Sequence, residues 1–381
     1  MPAFRFTRRD FLGTTALAGL GVVAGCGSDP AADPETPLST VLTTPKADGF
    51  RMPGEWEAHS GCLMAFPTPQ NWEGCWRGEG GPKRCNWLEI ARKDWAAAAK
   101  TVAQFEPVTM LANLGEGDLA RAACGTGIQV LEFPLNDAWT RDSGPLWLKD
   151  AHGRTRLGHF SFNGWGNKFP PWNDDAALAG RLAGHWGLGL YGTSLVGEGG
   201  AISVDGEGTI LTTEQCLMNP NRNPGRTKAQ VESDLCELLG GTKVIWLAKG
   251  LSPDPITDGH VDGICVFARP GTVVLQRVDD PSDPNAAITA DARKRLEAAT
   301  DAQGRKLEII DMPVWPPTLT YLNFYLANGG VVVPAAGDPA YDEPAFAVLR
   351  KAFPDRKVVG VVGEAIAAGG GGIHCITQQM G

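Results

Sequence analysis

TKAQVESDLCELLGGTKVIWL, residues 227–247, holds one complete helix-to-strand unit. Thr227 and Gln230 have capping-box spacing, Val231, Leu235 and Leu238 fall on one helical face, and Gly240 stops the helix before the β-prone run KVIWL. The exit, GTKVIWL at 241–247, is echoed by GRKLEII at 304–310 and DRKVVGV at 355–361, and FEPVTML at 105–111 follows its own helix in a similar way. Measured from Lys243 to Lys306 to Lys357, the units recur at roughly 50–65 residue intervals. A helix buries its apolar face only against another element, so helix–strand units in series make the chain α/β. Two arrangements stay open: an α/β repeat architecture, and one conventional α/β sandwich whose helix exits share turn chemistry.

The same signals extend in both directions. Residues 86–105, NWLEIARKDWAAAAKTVAQF, put Trp87, Ala91, Trp95, Ala98, Val102 and Phe105 on one stripe of a helix capped by Asn86. Further helical patterns run at about 174–186, 287–302 and 343–353, each before a short strand. HVDGICVFARPGTVVLQRV and YLNFYLANGGVVVPA read as hairpins.

The first residues stand apart. TRRDFL at 7–12, the apolar run through Val23 and VAGC at 23–26 read as a twin-arginine export signal over 1–25, with Cys26 placed as an acylated lipoprotein cysteine. A plain signal cut, with Cys26 incidental, is the other reading. The apolar run is too short to span a hydrocarbon core of about 30 Å. Residues 26–50, rich in Pro, Thr, Ser and Asp, read as a disordered tether, and a single catalytic domain is expected over 51–381. The leader places the protein in the periplasm or lipid-anchored at the cell envelope, with membrane contact only through that anchor.

A net charge of −9 argues against nucleic acid as a partner, which requires a basic stripe, and suits a small cation. Of the nine cysteines, Cys75 and Cys85 flank a glycine-rich loop and could bridge in an oxidising compartment, whereas Cys62, Cys124, Cys216, Cys236 and Cys265 read as buried thiols. No CxxC or HxxxH spacing occurs, so no metal site is expected.

Chemistry-bearing residues lie in separate segments. AAGGGGIHCITQQM at 367–380 sets Cys375 after four glycines that let a ligand approach, a position open to a nucleophilic thiolate or to a buried Cys beside a flexible turn. In DGHVDGICVF at 258–267, His260 and Asp262 alternate with apolar residues and would share one face of a strand, as a proton shuttle beside a cation-binding anion or as a polar edge. In PLNDAWTRDSGPLWL at 134–148, Asp142 could grip a guanidinium with Trp139 stacked on it, or pair with Arg141. FNGWGNKF at 162–169 offers Trp165. LVGEGG at 195–200 offers Glu198 beside glycines that would let substrate reach it, while NRNP at 221–224 reads as structural.

Taken in order, EWEAHSGCLMAFP, NDAWTRDSGP, FNGWGNKF, GEGTILTTEQCLMNPNRNP, GHVD, YLNFYLAN and GGGGIHCITQQ resemble the agmatine deiminase and bacterial peptidylarginine deiminase family, from about residue 52 to the end. The resemblance implies a pentein fold, a fivefold pseudosymmetric α/β propeller with a central active site. It implies that Cys375 is the nucleophile, His260 the general acid and base, Asp142 and Asp262 the guanidinium anchors and Glu198 the support of His260, with Trp139, Trp165 and Asn323 lining the pocket. The reaction it implies is hydrolytic deimination through a covalent amidino-cysteine, with no cofactor. Agmatine is the expected substrate. Two departures from the family pattern, Pro255 and Ile256 before GHVD and Gly372 in the glycine run, together with export, keep peptidylarginine or free arginine as alternatives, and a guanidinium-binding lipoprotein without catalysis as another.

Overall fold

The computed structural model describes residues 43–72, 85–314 and 320–381. The leader, Cys26, Cys75 and most of the tether lie outside them. Cys85 is disulfide-bonded. Residues 43–50 pack on the domain: Phe50 is buried in a strand with Arg51, Lys46 N–H donates to the Glu237 carbonyl, and Tyr191 Oη–H donates to Asp48. Among the described residues no helix is long and apolar enough to cross a membrane.

Five small sheets share one plan. In each, a first strand runs antiparallel to a second, a helix follows, and a third strand returns parallel to the second. The helix-to-strand unit at 227–247 completes the third sheet: Ile202–Val204, Thr209–Thr213, the helix Lys228–Leu239, then Lys243–Leu247. Its capping box is formed as Thr227 and Gln230 predict, and Gly240 takes a φ of +68° at the helix end. The second sheet builds Leu146–Asp150, Thr155–Ser161 and Leu190–Val196 around the helix Asn173–Trp186, the fourth builds Cys265–Arg269, Thr272–Arg277 and Glu308–Pro313 around Pro284–Ala298, and the fifth builds Tyr325–Ala327, Gly330–Ala335 and Lys357–Val362 around Pro339–Ala352. In the first sheet the antiparallel strand comes from the far end of the chain: Gln378–Met380 pairs with Gly61–Ala65, which pairs parallel to Val108–Ala112 after the helix Trp87–Val102. Five small sheets, and not one sandwich, are therefore the outcome of the two arrangements left open.

The helix Trp87–Val102 buries the expected stripe together with Ala96 and Ala99, while Phe105 lies past its end. Asn86 holds the cap position without a side-chain bond to the helix. Trp95 is fully buried, sits edge-on to Trp72 and Trp139 with ring centroids 5.3 Å apart in each case, and donates Nε1–H to the Ala138 carbonyl at 3.2 Å. It therefore joins the helix of the first sheet to the segment that carries Asp142. Trp95→Ala is expected to cost about 3–5 kcal/mol in denaturant unfolding, because the cavity is lined by rigid rings that cannot collapse into it; a loss below about 1 kcal/mol would show that Trp95 is not a keystone of this packing.

Candidate active site

All the sequence-predicted site residues but Trp165 sit in the turns that enter the first strands of the five sheets; Trp165 lies in the turn Gly164–Asn167, between Thr155–Ser161 and the helix Asn173–Trp186. Asp142 precedes Leu146–Asp150, Glu198 precedes Ile202–Val204, His260 and Asp262 precede Cys265–Arg269, Asn323 precedes Tyr325–Ala327, and Cys375 precedes Gln378–Met380. The turns are stitched together. Thr140 Oγ1 reaches the carbonyls of Leu63 and Ile376, Arg141 N–H donates to the Cys375 carbonyl at 3.2 Å, and Gly200 N–H donates to Asp142 Oδ1 at 3.0 Å.

DGHVD is not the strand its alternation suggests. Asp258 and Gly259 take φ of +62° and +91°, which no strand accommodates, and Val261–Gly263 is a turn of 3₁₀-helix. His260 and Asp262 still reach the same space. His260 Nε2 lies 3.3 Å from Glu198 Oε2, and its Nδ1 lies 4.0 Å from Asp142 Oδ1 with no hydrogen-bond partner among the described residues. Asp262 Oδ2 lies 3.7 Å from Cys375 Sγ. Asn323, expected as pocket lining, instead holds the cysteine: its Oδ1 accepts from Cys375 N–H and from Sγ, each at 3.2 Å.

Gly200 marks the centre. A Cβ there would stand 2.6 Å from His260 Nδ1, 2.9 Å from Asp142 Oδ1 and 2.9 Å from Asp262 Oδ2, so three polar groups converge where no side chain can exist. Glu198, which glycines were expected to open to substrate, is fully buried behind His260; the opening lies at Gly200. In the run at 369–372 only Gly370 needs a left-handed backbone, at φ +84°. The other three are small for contact reasons: a Cβ on Gly369 or Gly371 would strike Trp139, and one on Gly372 would lie 2.6 Å from Asn323 Oδ1. Trp139 packs on this run beside Cys375, whereas Trp165 acts on the anchor, donating Nε1–H to Asp142 Oδ2 at 2.9 Å. Gly164, Trp165, Gly166 and Asn167 all have positive φ, a left-handed turn that costs an L-residue roughly 1–2 kcal/mol and is held here by that indole bond and the Asn163 cap on Gly166.

Burial, then Asp262 and Asp142, pushes the Cys375 thiol well above its usual range. Burial resists the charge on His260, but Asp142, Cys216 and Glu198 outweigh it and hold the imidazolium well above the usual histidine range. Burial also resists charge on Glu198, which Arg222 and His260 keep low, and raises Asp142 despite His260. The resting state is therefore a thiol facing an imidazolium.

Sequence reading missed three partners. Arg222 of NRNP, taken as structural, is buried with Nε 2.7 Å from Glu198 Oε1, and reaches Asp258 at 2.6 Å and the Thr257 carbonyl at 3.1 Å. His374 Nδ1 bonds Asp262 Oδ2 at 2.9 Å, and Glu55 bonds His374 Nε2 at 2.9 Å. The one signal in the sequence was an arginine set between two asparagines; nothing local marked the other two. Among the described residues, Glu198, Cys216 and His260 are the group whose ligand atoms lie close enough together, within 4.8 Å, to hold a metal ion, and the same Glu198–His260 contact already forms an ion pair. The arrangement as a whole can hold a planar cation between two carboxylates, with sulfur and a proton donor beside it.

Arg222→Leu should destabilise the fold by about 3–5 kcal/mol, because it strands the Glu198 carboxylate without solvent, and adding Glu198→Leu should recover most of that loss. Denaturant unfolding of both variants checks this; a double variant no more stable than the single one would refute the buried pair.

Residues 51–381 match the family described as Porphyromonas-type peptidyl-arginine deiminase. An agmatine deiminase of Pseudomonas aeruginosa is 40% identical over 376 residues, covering 90% of this chain and 98% of that protein. The structure of an Enterococcus faecalis agmatine deiminase aligns with a TM-score of 0.81 at 34% identity, over 89% of this chain and 98% of that one, and that of a C. jejuni agmatine deiminase with substrate bound aligns at 0.76 and 26% identity, over 87% and 96%. With five sheets in the same mixed α/β fold and matches along nearly their whole length, this chain belongs to the family of Porphyromonas-type peptidyl-arginine deiminases and their agmatine deiminase relatives.

Proposed function

We propose that the protein hydrolyses agmatine to N-carbamoylputrescine and ammonia through a covalent amidino-cysteine on Cys375. The observation that carries this is the convergence of His260 Nδ1, Asp142 Oδ1 and Asp262 Oδ2 on Gly200, with Cys375 Sγ 3.7 Å from Asp262. Relatives that carry the name agmatine deiminase favour agmatine over peptidylarginine or arginine. A binding protein without chemistry would have no use for the thiol or for the free His260 nitrogen.

The charge balance suggests how the thiol is activated. Five carboxylates, Asp142, Asp262, Glu198, Glu55 and Asp258, face five cations, His260, His374, Arg141, Arg222 and Lys168, so the empty site is neutral. A guanidinium adds one positive charge, which loss of the Cys375 proton to solvent offsets. The thiolate attacks the central carbon while Asp142 and Asp262 hold the nitrogens in line. His260, anchored through Nε2 by Glu198, gives its Nδ1 proton to the departing nitrogen, which leaves as ammonia. The S-amidino group stays cationic and held. Neutral His260 then takes a proton from water, the hydroxide adds to the carbon, and the C–S bond breaks to release the ureido product as the adduct's remaining O–H proton passes to the leaving sulfur, which restores the thiol.

We further infer that the five sheets are the units of a pentein propeller around this site, supported by the delivery of site residues from the turns before all five first strands. Export by a twin-arginine leader is supported by residues 7–26 alone, and a single catalytic domain behind it by the family match over residues 51–381.

Cys375→Ala is expected to abolish ureido formation from agmatine, arginine and arginyl peptides in a colorimetric assay, with agmatine the best of the three in the parent; turnover by the variant would reject the nucleophile. Because Cys375 carries its proton in the empty site and loses it when the cation binds, affinity for a guanidinium should rise with pH up to the elevated thiol range and level off above it. Calorimetric titration of a non-hydrolysable guanidine from pH 6 to 9 reads this, and affinity flat or falling with pH would remove the coupling.

A further inference from the structure

His374 stands beside the nucleophile in GGGGIHC, yet none of the steps above uses its side chain. Its Nδ1 lies 2.9 Å from Asp262 Oδ2 and its Nε2 lies 2.9 Å from Glu55 Oε1, with the side chain 4% exposed. A neutral imidazole has one N–H and one lone pair, and ionised carboxylates offer only acceptors. Both contacts are hydrogen bonds only if both nitrogens carry hydrogen, so the ring is an imidazolium. The frame around it is rigid. Arg141 Nη1 reaches Glu55 at 3.3 Å and Gln379 at 2.7 Å, Arg141 Nε donates to the His374 carbonyl at 3.3 Å, and His374 N–H donates to the Asn323 carbonyl at 3.0 Å. Glu55, Asp262 and Arg141, from three separate segments, are the charged groups that face the ring.

Asp262 Oδ2 is the oxygen that matters for substrate, since it faces both the Gly200 position and the Cys375 sulfur. One of its lone pairs is taken by His374, which leaves the other directed at the site. Without that bond, Asp262 would be a free acceptor for the thiol proton and an uncompensated charge beside the sulfur. We propose, resting on the reading of this site as a deiminase, that His374 is a positioning residue: an imidazolium clamped between Glu55 and Asp262 that fixes the substrate-facing oxygen of Asp262 and offsets its charge next to Cys375. Glu55 is the outer half of the device: its oxygen accepts from the far nitrogen, a bond that a glutamine oxygen can also accept, so the ring keeps both protons in Glu55→Gln while Asp262 remains paired with it. Burial resists the charge on Glu55, but His374 and Arg141 hold its carboxyl down to about 2, so the clamp persists across the working range of any enzyme near neutrality.

Opposite charge changes at the two ends of this clamp should act in opposite directions on the sulfur. His374→Gln keeps a hydrogen-bonding side chain and removes a positive charge; Glu55→Gln removes a negative one; the double variant restores the balance. The test follows Cys375 alkylation by uncharged iodoacetamide against pH in full-length protein, read at Cys375 by mass spectrometry, beside agmatine kinetics. In His374→Gln the alkylation midpoint should rise by about one pH unit, in Glu55→Gln it should fall, and in the double variant it should lie between the two. His374→Gln should also lower kcat at least ~10-fold with KM for agmatine changed by less than ~3-fold, since cation capture does not need the imidazolium. An unmoved midpoint in His374→Gln, or a double variant shifted beyond it in the same direction, overturns the proposal. Should His374→Gln fail to fold by thermal melting, Glu55→Gln decides alone, and a midpoint unmoved or raised is the negative result. Wild-type protein inert towards agmatine, with the opposed alkylation shifts intact, would defeat the substrate reading and leave the clamp standing.

Discussion

Charge removed from water must be cancelled nearby, and the centre of this protein is built around that requirement. Each carboxylate of the site has a cation within 4.0 Å. Arg222 answers Glu198 at 2.7 Å, His374 answers Asp262 at 2.9 Å, Arg141 and His374 answer Glu55, and His260 lies between Glu198 and Asp142. Asp142 has the weakest partner, at 4.0 Å from the imidazole, and makes up the difference with an indole N–H and the Gly200 amide. A cation that enters such a site meets neither a deep negative well nor a repulsive wall. It meets acceptors already oriented, and it disturbs the balance by one charge that the sulfur can restore.

The fold explains how the cancelling pairs arise from remote positions. Every sheet begins with a strand entered through a turn, and the turns meet: Thr140–Ser143 lies against Gly199–Ala201, which lies against Val261–Gly263. One strand per sheet therefore delivers one polar turn. The fifth delivery needs the chain to close on itself, and it does so when Gln378–Met380 pairs with Gly61–Ala65. Cys375 reaches the centre for that reason, although it lies near the chain terminus.

This geometry sets what could be read from the sequence. The helix at 228–239 was legible to its capping box because its signals are local, and so were the hairpins at 265–277 and 325–335. The residues Cys375, His260, Asp142, Asp262 and Glu198 were legible as members of segments, and the structure brings all five together. Roles that depend on contact across the chain were not. His374 and Glu55 are 319 positions apart, Arg222 and Glu198 are 24 apart, and Asn323 meets Cys375 across 52. No periodicity relates such pairs, so Asn323 was assigned to pocket lining and NRNP to structure. The alternation in DGHVD misled for a different reason: period two signals a strand only where the backbone can extend, and Asp258 and Gly259 at positive φ forbid it.

The two buried histidines show how little separates a reactive group from a fixed one here. Both are imidazolium rings among carboxylates, and both are at most 5% exposed. His374 has a carboxylate 2.9 Å from each nitrogen, so moving either proton would leave an anion without its donor. His260 has one such contact, from Nε2 to Glu198, while Nδ1 bonds nothing and faces the space over Gly200. A proton on a nitrogen with no acceptor can leave at small electrostatic cost when a basic nitrogen arrives, and can be regained from water afterwards. The count of engaged nitrogens, two against one, thus separates a histidine that holds the anchor still from one that transfers protons. For His260 the count stays at one: Arg222 occupies Oε1 of Glu198 and leaves Oε2 for Nε2, while no carboxylate comes within bonding distance of Nδ1 among the described residues.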